Sequence, residues 1–91
     1  MKKRGHFICR GTVQGVFFRA SARTEAQHLG LTGWVKNCQD GSVEAVAEGD
    51  REAVDNFYHW CQIGPKYSSV SNVEKLYSEA TGEFHEFSIL R

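Results

Sequence analysis

His6-Phe-Ile-Cys-Arg-Gly-Thr-Val-Gln-Gly-Val-Phe-Phe-Arg-Ala-Ser-Ala-Arg-Thr-Glu-Ala-Gln-His-Leu-Gly30 changes its hydrophobic period partway along. From His6 to Arg10, Phe7 and Cys9 stand on one side of a period-two pattern and Ile8 on the other, which predicts a strand. From Phe18 onward, apolar residues recur every three or four positions through Ala22, Ala26 and Leu29, which predicts a helix, and Gly30 suits its left-handed stop. Between the two lies a glycine-bearing loop that delivers the chain to a helix N-terminus.

The same reading extends toward the C-terminus. Leu31 to Asn37 is rich in residues that fit a pleated surface, Gln39-Asp40-Gly41 is a turn signal, and Ser42 to Glu48 is a second strand, so the pair reads as a hairpin. In that second strand Val43, Ala45 and Ala47 alternate with Glu44, Val46 and Glu48, predicting one buried and one largely wet face. Asp50 is the right residue type to cap a second helix, in which Ala53 or Val54, Phe57 and Cys61 form the apolar stripe and Gly64-Pro65 marks the end. Val70, Val73, Leu76 and Tyr77 predict a further strand, and Phe84, Phe87 and Ile89 a last short one. The order strand, helix, strand, strand, helix, strand matches the split βαβ arrangement. The expected fold is α+β: a ferredoxin-like βαββαβ sandwich, an antiparallel sheet with two helices packed on one face. Residues 1–91 are expected to make a single domain.

Composition narrows the function. Ninety-one residues leave no room for a cofactor-binding half joined to a substrate-binding half, and 41% hydrophobic with 24% charged residues and one Pro argues against disorder. Lys plus Arg number 11 and Asp plus Glu number 11, so the whole chain exerts no general attraction on nucleic acid or an acidic membrane. The positive charge is nonetheless front-loaded, because Glu25 is the sole acid before Gln39. That distribution favours a local anion site in the first half. Three cysteines without CxxC spacing fit a reduced cytoplasm, and no apolar run reaches the roughly 18 residues of a membrane span.

The loop from Gly11 to Arg19 carries the chemistry. Unpaired N–H groups and the helix macrodipole favour an anion there, whereas a cation in the first turn, Arg19, is disfavoured by about 0.3–1 kcal/mol unless an anion sits between. The loop fits neither GxGxxG nor GxxxxGK, so no nucleotide motif is present. A crossover helix returns the chain in its original direction and brings the ends of strands one and two to one edge. Asn37 closes the second. With strand three between them the backbones stand about 10 Å apart, a gap that side chains and one phosphate-sized group fill.

Gly11-Thr-Val-Gln-Gly-Val-Phe-Phe-Arg19 resembles the GxVQGVxFR signature of acylphosphatases. Leu29-Gly-Leu-Thr-Gly-Trp-Val-Lys-Asn37, Asp40-Gly-Ser-Val-Glu44 and Gly64-Pro65 resemble that family's GLxGWVxN, DGxVE and GP elements, while residues after Lys66 match only loosely. The resemblance implies hydrolysis of the carboxyl-phosphate bond of acylphosphates without metal or organic cofactor. By carry-over, Arg19 and Asn37 are the catalytic pair. Backbone N–H groups of Gln14, Gly15, Val16, Phe17, Phe18 and Arg19 hold the phosphoryl oxygens together with the Arg19 guanidinium, and the Asn37 amide positions a water. Neither side chain accepts a proton near neutral pH, so a phosphoryl oxygen or bulk water is the expected acceptor. The implied protein is a cytoplasmic monomer acting on a small-molecule acylphosphate, with no nucleic-acid or membrane partner.

Each assignment stands beside a plainer one. Without the signature, Arg19 reads as a solvated helix residue and Asn37 as a strand end entering a turn. Gly15 is expected to serve backbone conformation, and Ser42 to support the site from behind. His6, His28, His59 and His85 lack metal spacing and read as surface or boundary residues. Cys9 and Cys61 read as small hydrophobes, and Cys38, next to Asn37, as a thiol whose oxidation impairs hydrolysis. Trp34 and Trp60 read as packing residues and Lys2-Lys3-Arg4 as a solvated tail. Two rivals are a non-enzymatic RNA-binding sheet, for which no RNP1-like aromatic strand is present, and a sensor that binds phosphorylated metabolites without turnover.

Overall fold

The computed structural model describes residues Met1–Arg91. Its elements follow in the order β1 (Lys2–Thr12), α1 (Phe18–His28), β2 (Thr32–Asn37), β3 (Val43–Asp50), α2 (Arg51–Ile63), β4 (Ser69–Glu79) and β5 (Phe87–Ile89). One five-stranded sheet has the spatial order β4-β1-β3-β2-β5. β1 pairs antiparallel with β3 and β4, and β2 antiparallel with β3. This is the expected βαββαβ frame, extended by a short β5 that runs parallel to β2 and makes the sheet mixed.

The helices cover one face because the period-two and period-3.6 stripes meet there. Phe7, Cys9, Val35, Val43, Ala45 and Ala47 of the sheet pack against Phe18, Ala22 and Ala26 of α1 and Val54, Phe57 and Cys61 of α2. Phe57 is central, with its ring centroid 5.8 Å from Phe7 and 5.7 Å from Phe87. Trp60 lies 5.4 Å from Phe18 and so ties α2 to the start of α1. Truncating Phe57 to Ala in such surroundings costs about 3–5 kcal/mol.

Several local expectations change. The first strand begins at Lys2, so Lys2-Lys3-Arg4 is not a tail but the start of β1. Arg4 is the cross-strand partner of Glu48, and its Nη1 stands 3.2 Å from that carboxylate and 2.8 Å from Glu83. The second face of β3 is not wet either, since Val46 and Glu48 are buried. β3 is the middle strand, and the chain from β4 to β5 crosses near Glu48, where the Thr81 and Gly82 N–H groups donate to it at 3.0 Å each. Burial raises the Glu48 pKa, but those N–H donors, the Thr81 hydroxyl and Arg4 together outweigh it and hold the pKa below the ordinary value. Asp50 precedes α2 but makes no side-chain cap. It pairs with Lys2 at 3.4 Å instead, and the Arg51 N–H donates to the Met1 carbonyl at 2.9 Å.

Candidate active site

The loop from Val13 to Phe17 must turn a strand into a helix in few residues. Gly15 takes φ 75° and Phe17 φ 63°, with Val16 between them at negative φ. Such alternation of hand curls the backbone so that successive N–H groups point into one concavity. A left-handed Phe costs about 1–2 kcal/mol, and Phe17 is 79% exposed, so packing does not compensate for it. The N–H groups of Gln14, Gly15, Val16, Phe17, Phe18 and Arg19 find no acceptor on the chain: none donates in a turn, loop or cap, and α1 begins too late to use them. The first turn of α1 holds no acidic residue.

The sheet then fixes the other half. Val43 is the register partner of Cys9 on one side and of Asn37 on the other. Asn37 therefore stands two strand spacings, about 10 Å, from Cys9, at the edge where the loop opens. β3 does lie between the two ends, as the crossover reading requires. The Asn37 Oδ1 is buried and has no hydrogen-bond partner. A buried acceptor left unpaired costs about 1–3 kcal/mol, so the Asn37 amide sits at this edge against its own hydrogen-bonding preference.

Gln14 joins the halves through its side chain. Its Nε2 donates to the Cys38 carbonyl at 2.7 Å and to the Ser42 carbonyl at 2.8 Å, clamping the loop onto the hairpin that carries Asn37. The hairpin turn is braced from below: the Ser42 N–H and hydroxyl both donate to Asp40 Oδ1, at 3.0 and 2.6 Å, and Arg10 Nη1 donates to Asp40 Oδ2 at 3.1 Å. The Ser42 hydroxyl, then the Ser42 N–H and Arg10, lower the Asp40 pKa to about 2.

Gly15, Phe17, Phe18, Arg19 and Asn37 line one cavity of about 450 Å³. Gln14 and Val16 do not: the Gln14 side chain faces the hairpin, and Val16 packs on the core. Arg23, Ile89 and Arg91 also line the cavity, and the sequence reading missed all three. Arg23 was within reach of that reading, since it stands four residues after Arg19 on a helix. The remaining flagged residues lie elsewhere. His6 Nε2 sits 2.6 Å from Glu44, Cys38 Sγ is 3.8 Å from the same carboxylate, and Trp34 lies under the Lys36 ammonium.

The class of protein so defined is a ferredoxin-like α+β sandwich with an electropositive cleft between a helix-start loop and the end of a neighbouring strand. Comparison with known proteins takes this further: the chain belongs to the acylphosphatase family, whose model matches residues 5–89. It is 52% identical over 89 residues to an acylphosphatase of Methylococcus capsulatus, covering 98% of this chain and 97% of the relative. It is 48% identical over 88 residues to one of Pelotomaculum thermopropionicum, covering 97% and 96%. Its structure is similar to the crystal structure of acylphosphatase from Bacillus subtilis, with TM-score 0.94 and 37% identity over 98% of this chain and 99% of that one. The protein is thus an enzyme, a hydrolase acting on acid anhydrides, and its family and fold support acylphosphate hydrolysis.

Proposed function

We propose that residues 1–91 act as a single acylphosphatase domain, in which water attacks phosphorus in line with the departing carboxylate. The N–H groups of Gln14 through Arg19 and the Arg19 guanidinium hold the three equatorial phosphoryl oxygens, over which the transition state spreads its charge. Arg19 suits this task because its planar fork grips two oxygens at once. The Asn37 amide positions the attacking water beside phosphorus. A bond forms from the water oxygen to phosphorus, the bond from phosphorus to the acyl oxygen breaks, and the carboxylate leaves with the electron pair. The proton passes to a phosphoryl oxygen or to bulk water, since no Asp, Glu or His lines the cavity. A carboxylate is a good leaving group, so strong base catalysis is unnecessary.

The observation that carries this reading is the run of loop N–H groups without an acceptor on the chain, closed by a helix start that bears a cation and no acid. An anion with several oxygens satisfies these donors together. The enzyme works without metal or organic cofactor in this reading, because the loop and Arg19 supply the positive charge. Three free cysteines, two of them buried, suit a reducing cytoplasm, in which the domain acts as a monomer in this reading. Hydrolysis in ¹⁸O-labelled water tests the route of attack. Label recovered in inorganic phosphate is the expected result, and label recovered in the carboxylate means attack at carbon and contradicts the proposal.

A further inference from the structure

The cavity beside the loop holds more positive charge than one phosphoryl group uses. Arg19, Arg23 and Arg91 all line it, and no acidic residue does. The chain's other arginines each have a carboxylate partner: Arg4 pairs with Glu48 and Glu83, Arg10 with Asp40 and Glu74, and Arg51 with Asp55. The arginines without an ion pair are therefore the ones gathered at this cleft. Their placement opposes two ordinary preferences. Arg19 and Arg23, four residues apart on α1, repel each other, and Arg19 in the first turn opposes the helix dipole. The cavity also has the size of a whole small-molecule site rather than a phosphate niche. Val13, Phe17 and Ile89 give it apolar wall on which the body of an acyl group can lie.

We propose that Arg23 and Arg91 form an acyl-side anion subsite, so that the enzyme prefers acylphosphates whose acyl group carries a second negative charge. This rests on the phosphoryl group being held by the loop and Arg19, which leaves the other two guanidinium groups facing the acyl portion. The favoured substrate class is an acylphosphate with a carboxylate at the end remote from the anhydride, which a guanidinium grips through paired N–H donors. Both side chains are exposed, so the preference is of rim-charge size and sensitive to salt.

The test compares 4-carboxybenzoyl phosphate with 4-carbamoylbenzoyl phosphate, a neutral analogue of the same size. The para position prevents the carboxylate from attacking its own anhydride. For the wild type the kcat/KM ratio of charged to neutral substrate is expected to be about 3- to 10-fold, carried mainly by KM and falling in 0.5 M NaCl, as two solvent-exposed ion pairs allow. In the Arg23→Gln/Arg91→Gln protein, with folding verified by circular dichroism, the ratio falls to about 1, while the Arg23→Lys/Arg91→Lys protein keeps an intermediate ratio, since it retains the two charges without the paired donors. A wild-type ratio of 1 or below overturns the subsite, and so does a preference that survives in the double Gln protein. Both results leave the proposed hydrolysis standing. Failure of the wild type to hydrolyse even benzoyl phosphate overturns that reaction and the subsite with it.

Discussion

Replacing Gln14 by Met removes the clamp between loop and hairpin while keeping an unbranched side chain of similar size. The wild-type amide donates at 2.7 and 2.8 Å to the carbonyls of Cys38 and Ser42. Neither carbonyl is orphaned by the change, because the Gly41 N–H also donates to Cys38 and the Cys38 N–H to Ser42. The loss is therefore two net hydrogen bonds at about 1 kcal/mol each rather than two desolvation penalties. For a domain of this size that corresponds to a fall in Tm of roughly 8–16 °C in a thermal scan. The kinetic effect is larger than the stability effect suggests, since the clamp ties the loop proposed to hold the phosphoryl group to the hairpin that carries Asn37. A displacement near 1 Å costs about 10²-fold in a positioned reaction, so kcat for benzoyl phosphate is expected to fall about 10- to 100-fold, with KM less affected. A Gln14→Met protein with wild-type Tm and kcat would refute the reasoning. A lowered Tm with unchanged kcat would reduce the clamp to a structural brace and remove its positioning role.

The remaining predictions concern stability and backbone. Asp40 is held at about 2 against an ordinary 3.8, chiefly by Ser42, so its contribution is fully present above 3.8 and lost as pH falls through about 2. Tm of the wild type is expected to drop across that window more steeply than Tm of Asp40→Asn, and parallel curves would contradict the assignment. Gly33 and Gly15 both have positive φ, yet a Cβ at Gly33 would lie 1.9 Å from the Val46 carbonyl oxygen, whereas one at Gly15 meets nothing within 4 Å. Urea titration should show Gly33→Ala costing at least about 3 kcal/mol and Gly15→Ala about 1 kcal/mol, and equal costs would mean that steric contact in β2 is not the deciding factor.

What the sequence revealed follows from which interactions are local. The strand of Phe7 and Cys9 and the helix of Phe18, Ala22 and Ala26 announce themselves because period and burial coincide there. Arg19 and Asn37 could be placed at one edge from connection rules alone, and the register through Val43 places their segments there. Lys2 to Arg4 read as a tail because the outward face of an early strand is charged, and the partners that order it, Glu48 and Glu83, are distant in sequence. Glu48 read as solvent-facing for the same reason, since the segment that buries it is distant in sequence, with Thr81 and Gly82 supplying the N–H donors. Asp50 has the residue type of a cap, but Lys2 competes for its carboxylate. The side chain of Gln14 escaped notice because it binds main-chain carbonyls, whose direction no residue type encodes. Arg91 escaped because β5 spans only Phe87–Ile89, too short for its pattern to fix register and direction.

The most direct test of the central claim is steady-state hydrolysis of benzoyl phosphate in excess EDTA by the wild type beside Arg19→Ala and Asn37→Ala, each verified as folded by circular dichroism. EDTA-resistant turnover by the wild type is expected. Arg19→Ala should reduce kcat/KM at least about 10²-fold through loss of its charge-assisted grip, and Asn37→Ala should lower kcat more than it raises KM. Turnover that vanishes with EDTA, or that survives in folded Arg19→Ala, would contradict the account.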